Sequence, residues 1–171
     1  MKNLDNKPEG DNSLGELAIC ETNDGTITIR NDYYKESFHN HTGALKESIE
    51  KFINPSELFR FNRNRKLFVL DVCFGLGYNT GSLLERIHRY DQQVEWWGLE
   101  IDKRPIRMAI NHKIFHKCWS KDVMEIFHAI NSKDSWSTNF GKGCVLWGDA
   151  RKKINEIPNS IKFDLILHDA F

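Results

Sequence analysis

One segment limits the possible folds more than any other. Leu67 to Cys73 is a continuous apolar run broken by a single acid, Asp71, and it leads directly into Phe74-Gly75-Leu76-Gly77-Tyr78-Asn79. Such a run, without alternation, suits a strand buried on both faces, and strands of that kind belong to parallel sheets covered by helices. Glycines just after it let the backbone turn tightly and pass close to a ligand with no Cβ in the way. A helix starting there offers unpaired N–H groups.

The rest of the chain repeats the alternation. The pattern predicts a helix from about Asn79 to Arg89 and a strand over Val94 to Leu99. A helix from Pro105 to roughly Phe115 follows, with proline in its first turn, and then one from Ser120 to Ile130 capped by Ser120. Ser132 to Lys142 reads as a polar loop, Cys144 to Trp147 as a strand, Ala150 to Ile157 as a short helix and Phe163 to His168 as a further strand. Strands and helices alternating at this length indicate an α/β fold built on a doubly wound parallel sheet.

Ahead of that domain, residues 1–14 are polar and read as a disordered lead-in. Residues 15–66 form an extension: a β-hairpin of Glu16 to Glu21 and Thr26 to Arg30 around Asp24-Gly25, a loop from Asp32 to His41, and a helix from Thr42. In that helix Ala44, Leu45, Ile49, Phe52 and Ile53 recur at helical spacing before Asn54-Pro55 ends it. Residues 67–171 form the α/β domain.

Bulk properties exclude several classes. The 171 residues suit one domain beside its extension, and 40% hydrophobic content is enough for a core. Basic and acidic side chains balance at 24 each, so any RNA contact must use a local patch. Lys103, Arg104, Arg107, Lys113 and Lys117, on and around one predicted helix, are the candidates. No apolar run approaches the roughly 20 residues of a membrane span, and the polar N-terminus is no signal peptide. No two of Cys20, Cys73, Cys118 and Cys144 form a C-x-x-C pair, so no zinc ribbon is expected. They read as buried thiols of a reducing, cytoplasmic environment.

Acids recur where strands end. Asp71 precedes the glycine turn. Glu100 closes the second strand about 20 residues beyond that turn, where an acid grips ribose hydroxyls in nucleotide-binding folds. Asp149, in Gly148-Asp149-Ala150-Arg151, follows the third strand, placed to accept from an adenine amino group or to cap the next helix. Asp169, in Asp169-Ala170-Phe171, follows the fourth, on the ligand side of an open sheet. Each signal is weak alone; four in order are specific. A nicotinamide dehydrogenase more often carries the fuller G-x-G-x-x-G, whereas Thr80 stands at the sixth position here.

The D-x-x-x-G-x-G turn, then E, G-D-A and D-A-F, look like a class I S-adenosyl-L-methionine-dependent methyltransferase with strand order 3-2-1-4. Thr22-Asn23-Asp24-Gly25-Thr26, with Tyr34, Glu36, His39, Gly43-Ala44 and Glu47-Ser48, resembles the lead-in of the MnmC-like methyltransferase domain, and the resemblance spans residues 17–171. It implies S-adenosyl-L-methionine as cofactor and methyl transfer to the aminomethyl group of a modified wobble uridine in tRNA, giving 5-methylaminomethyl-2-thiouridine. The residues implicated are Asp71, Gly75, Gly77, Asn79, Glu100 and Asp149 around the cofactor, with Asp169, Glu47 and His39 around the reacting amine. Tyr33, Tyr34 and Phe38 offer rings for a base. Cys73 departs from the family, standing at the first glycine of the turn. The family domain also continues past D-A-F, so the expectation is a C-terminally truncated domain whose partner is a complementing fragment. Two rival readings are a non-catalytic remnant and a Rossmann module that binds NAD.

Overall fold

The hydrophobic run that opens the α/β domain forms strand β4 (Leu67–Val72), and everything else is arranged around it. The computed structural model describes residues 14–61 and 64–170; apart from Leu14, the expected lead-in of residues 1–14 lies outside them. Strand β5 (Val94–Glu100) pairs parallel to one edge of β4, and β8 (Leu165–His168) pairs parallel to the other. Strand β7 (Gly141–Trp147) adds parallel to β5. The order β7-β5-β4-β8 is the expected 3-2-1-4 of a Rossmann-like sheet. A fifth strand, β6 (Ser135–Thr138), extends it antiparallel to β7.

The pleat explains the sequence. Leu67 and Val69 face one side with Trp96; Leu70 and Val72 face the other with Trp97. The first side is the thick one. Helix α2 (Tyr78–Arg89) and helix α5 (Lys121–Lys133) pack there through Leu83, Leu84, Phe127 and Ile130. Ser120 caps α5 as expected, its hydroxyl accepting the Val123 N–H at 3.4 Å. The other face is covered by a smaller cluster of Leu70, Leu99 and Ile157, with Ile161 and Phe163 against it. Helix α6 (Ala150–Lys153) and a 3-10 turn at Ile154–Glu156 supply that cover.

The extension forms its own antiparallel sheet, β1 (Leu17–Glu21), β2 (Ile27–Asn31) and β3 (Glu36–Ser37). It is no separate body, because Ile27 and Ile29 are fully buried within the main core.

The structure corrects four local expectations. The polar stretch before β7 contains β6, in which only Trp136 is buried. The loop of residues 32–41 contains β3. The helix from residue 105 to 115 is two helices, α3 (Arg104–Ile110) and α4 (Lys113–His116), because His112 leaves helical geometry and its Nδ1 caps the Ile114 N–H. The helix after Gly43 is α1 (Ala44–Glu47) followed by a π-helical segment, Ser48–Ile53. Its buried residues, Ala44, Ser48 and Ile53, are spaced for a wider turn, and the Ser48 hydroxyl donates to the Tyr78 carbonyl at 3.0 Å.

Candidate cofactor and substrate site

The turn after β4 is bent by three left-handed residues, Cys73 at φ 62°, Gly75 at φ 54° and Gly77 at φ 95°. Glycine is required at Gly77 for space as well as conformation: a Cβ there would lie 2.7 Å from the Phe127 ring. Cys73 holds a conformation that costs an L-residue roughly 1–2 kcal/mol. Its N–H donates to the Leu99 carbonyl at 2.8 Å, locking the turn onto β5.

Glu100 braces the same turn from the neighbouring strand. Its Oε2 accepts the Gly75 N–H at 2.8 Å, and its Oε1 accepts the N–H groups of Ile101 at 2.6 Å and Asp102 at 3.0 Å. A carboxylate has about four lone-pair sites, so one remains for a ligand. Burial raises the pKa of Glu100 above the ordinary carboxylate value even against those three donors.

Beneath the turn lies Asp71. Burial pushes its pKa up to about 7, with Asp169 and Glu100 raising it further and the Thr80 hydrogen bond opposing. Thr80 Oγ1 donates to Oδ2 at 2.5 Å, but Oδ1 has no hydrogen-bond partner among the described residues. Asn79, on the first turn of α2, shows the same asymmetry: its Nδ2 donates to Asp169 Oδ2 at 2.9 Å while its Oδ1 is buried without a partner. Asp169, just past β8, is itself raised by burial.

These groups surround a cavity of about 180 Å³ at the carboxyl ends of β4, β5 and β8. Gly75, Asn79, Glu100, Asp169 and His39 line it, joined by Cys73. His39 is held from the extension by Thr28, whose Oγ1 accepts the His39 N–H at 3.0 Å and lies 3.3 Å from Nδ1. Burial lowers its pKa to about 4, opposed by Glu47 and Asp24, so the ring is neutral at pH 7. Three carboxylates converge on the turn: the Cys73 thiol, pushed up to about 11 chiefly by burial, also feels Glu100, Asp71 and Asp169.

No family model matches the chain. An uncharacterized protein, MJ0670, of Methanocaldococcus jannaschii is 31% identical over 158 residues, a stretch that spans 91% of this chain and 42% of that protein. The crystal structure of MnmC2 from Aquifex aeolicus superposes with a TM-score of 0.73 at 28% identity, covering 93% of this chain and 51% of that one. The fold is the Rossmann-like fold of a methyltransferase. At that level the chain is related to the MnmC-like domain. It spans about half the length of the solved relative and less than half of the curated one.

Four of the nine residues implicated around the cofactor and the amine fall outside the cavity lining, as does Tyr33 among the rings. Asp71 and Gly77 lie beneath it, one bracing and one starting α2. Glu47 sits behind His39, its Oε2 accepting the Asn40 N–H at 2.6 Å and its Oε1 paired with Lys51. Burial raises its pKa, but those bonds outweigh that and leave it lowered. Asp149 takes the capping role: its Oδ1 accepts the Arg151 N–H at 3.0 Å, and the Arg151 guanidinium beside it holds its pKa down to about 2. The adenine-contact expectation for Asp149 therefore has no support from the cavity's shape.

Conversely, Asn31, Ile101 and Asp102 line the cavity without having been singled out. Asp102 carries the one readable signal, two residues beyond Glu100 on the same strand end. Its carboxylate is clamped by Arg104, which also donates to the Gly15 carbonyl at 2.8 Å and so ties down the start of the extension. Among the described residues no cluster of His, Cys, Asp and Glu is arranged to hold a metal, and no helix is long and apolar enough to cross a membrane.

Proposed function

We propose that this chain binds S-adenosyl-L-methionine in the cavity beside the glycine turn and acts as a cytoplasmic tRNA-modifying methyltransferase on the aminomethyl group of a modified wobble uridine. The observation that carries the reading is the charge of the site. Asp71 and Asp169 add two acids to the ribose-gripping Glu100 around the turn where a dinucleotide fold would seat a pyrophosphate. A dianionic pyrophosphate meets repulsion there; a ligand with a sulfonium and an ammonium meets attraction. The buried acceptor without a partner on the cavity lining, Asn79 Oδ1, suits a cationic guest as well. NAD is thus the poorer fit.

When bound, the cofactor supplies an electrophilic methyl group on sulfur. The residues of the chain do the rest. Glu100 has one lone pair left for a ribose hydroxyl, and the Asp102 carboxylate stands beside it. Asp169, with Oδ2 fixed by Asn79, keeps Oδ1 to orient the substrate amine and receive its proton as the new bond forms. His39 is neutral and buried, so it adds no competing positive charge beside the amine. Glu47 holds the Asn40 backbone and with it the loop that carries His39. Phe38 and Tyr34 line the mouth on the extension side, where a base stacks. The resemblance of the lead-in motif to the MnmC-like domain supports the choice of substrate.

The test is methyl transfer from S-adenosyl-L-methionine to tRNA bearing 5-aminomethyl-2-thiouridine, with nucleosides resolved by mass spectrometry. The reading expects a gain of one methyl on that nucleoside, abolished by Asp169→Ala. Methylation of a different nucleoside, or none while the cofactor still binds, would overturn the substrate assignment.

A further inference from the structure

A second cavity lies away from the site, between the extension and α2. It has a volume of about 340 Å³. Ile49 and Ile53, from the π-helical segment, give it an apolar wall. Arg86 and Arg89 enter it from α2, and Lys117 enters it from the end of α4. Arg86 and Arg89 are three residues apart on one helix and so share a face. None of these three cations has an ion pair or hydrogen bond with any described residue. The one carboxylate in the groove, Glu85, is engaged, its Oε1 accepting the Ser120 N–H at 2.6 Å.

This arrangement differs from the patch that the sequence suggested. Lys103 pairs with Asp134 at 2.7 Å and lies 4.8 Å from the Trp147 ring. Arg104 is consumed by Asp102 and Gly15. Of the five basic residues read along that stretch, Lys117 belongs instead with two arginines from a different helix, which no local pattern connects.

We propose that this groove binds phosphate groups. Three unpaired cations beside an apolar wall are what a phosphate needs: guanidinium forks that match its oxygens, and an ammonium that adds a third positive charge. The groove is open and shaped by α2, whose N-terminal end follows directly on the glycine turn. Arg86 lies nine residues beyond Gly77, about 13 Å along the helix at roughly 1.5 Å per residue. A phosphodiester backbone whose reactive nucleotide sits in the first cavity reaches this distance, so RNA is the source favoured here, resting for that on the function proposed above. A free phosphorylated small molecule is the other source of the same chemistry.

The experiment compares the chain with Arg86→Gln/Arg89→Gln/Lys117→Gln, and with Lys142→Gln, whose lysine is paired with Glu95, as a control that loses a positive charge away from the groove. tRNA affinity is measured against salt, and inorganic pyrophosphate is titrated by calorimetry. Thermal unfolding and S-adenosylhomocysteine binding check that the variants are folded and that the first cavity is intact. The slope of log affinity on log salt is expected to shrink by about 2–3 in the triple variant, with affinity at least about tenfold weaker, and to be unchanged in the control. Should the triple variant fail to fold, Arg89→Gln/Lys117→Gln, two exposed residues, is expected to shrink the slope by about 1–2. Loss of pyrophosphate binding with tRNA affinity unchanged supports the groove with a small-molecule ligand. Folded variants that match the parent in both titrations overturn the proposal, whether or not the cofactor binds.

Discussion

Replacing Glu100 by Gln removes one charge and almost no volume, and its consequences follow from three hydrogen bonds. The carboxylate accepts N–H groups from Gly75, Ile101 and Asp102. An amide has a single acceptor oxygen. If that oxygen stays with Ile101 and Asp102, the amide NH₂ faces the Gly75 N–H, donor against donor; the flipped rotamer strands two donors instead. At least one buried N–H is left unpaired, which costs about 1–3 kcal/mol. The raised pKa of Glu100 shows that its buried charge is itself unfavourable, so neutralising it returns part of that loss. The net effect on folding is expected at the lower end, about 1 kcal/mol. Binding suffers more. A ribose hydroxyl donating to the remaining lone pair makes a hydrogen bond to a charged group, worth about 1.5–3 kcal/mol. Affinity for S-adenosylhomocysteine should therefore fall about 10- to 150-fold, read by calorimetry beside a urea melt. A folded Glu100→Gln protein with unchanged affinity would refute the ribose role.

Three further outcomes follow. Asp71, raised to about 7, contributes stability that is fully present below 3.8 and lost as pH rises through about 7; Glu100 and Asp169 act in the same direction. His39, lowered to about 4, contributes the opposite way, fully present above 6.5 and lost as pH falls towards 4. Asp71→Asn should therefore make stability climb more steeply between about pH 4 and pH 7 than in the parent, and superimposable urea profiles would mean that Asp71 is ionised throughout. Gly77→Ala should destabilise by about 2–5 kcal/mol, combining a left-handed alanine with a clash against Phe127; a thermal melt within a degree of the parent would contradict it. Cys73→Gly relieves a left-handed residue at φ 62° and should leave stability unchanged or raise it by about 1 kcal/mol, a clear loss showing that the thiol's packing outweighs the strain.

The parts of the molecule legible in the sequence were those coded locally. The apolar run of β4, the glycines behind it and the helix after them follow from composition at consecutive positions. Four strands in register order could be read because each ends in an acid or a glycine. Strand β6 was hidden because one buried residue, Trp136, holds it, and its other three positions are exposed and polar. The break between α3 and α4 rests on the Nδ1 of His112, a side-chain cap that no period reveals. Within the site, Glu100 and Asp169 were found by their strand-end positions. Asn31 and Leu14 were not, since they reach the cavity only through the way the extension folds back over the sheet. Charge pairing was equally invisible: Lys103 meets Asp134 across 31 residues and Arg104 is held by Asp102, which takes two charges out of the apparent basic patch. Asp149 carried two readings from the start, and its bonds to Arg151 support the capping one.

The central claim is that an acid-lined turn in a Rossmann-like fold selects a cationic sulfonium nucleoside over a dinucleotide. Parallel calorimetric titrations of the folded chain with S-adenosyl-L-methionine and with NAD test it most directly. The account predicts saturable one-to-one binding of S-adenosyl-L-methionine, weakened in Glu100→Gln, and NAD binding at least about a hundredfold weaker, the equivalent of roughly 2.7 kcal/mol. NAD binding as tight as the sulfonium compound, or no heat from S-adenosyl-L-methionine with a protein that melts cooperatively, would contradict it.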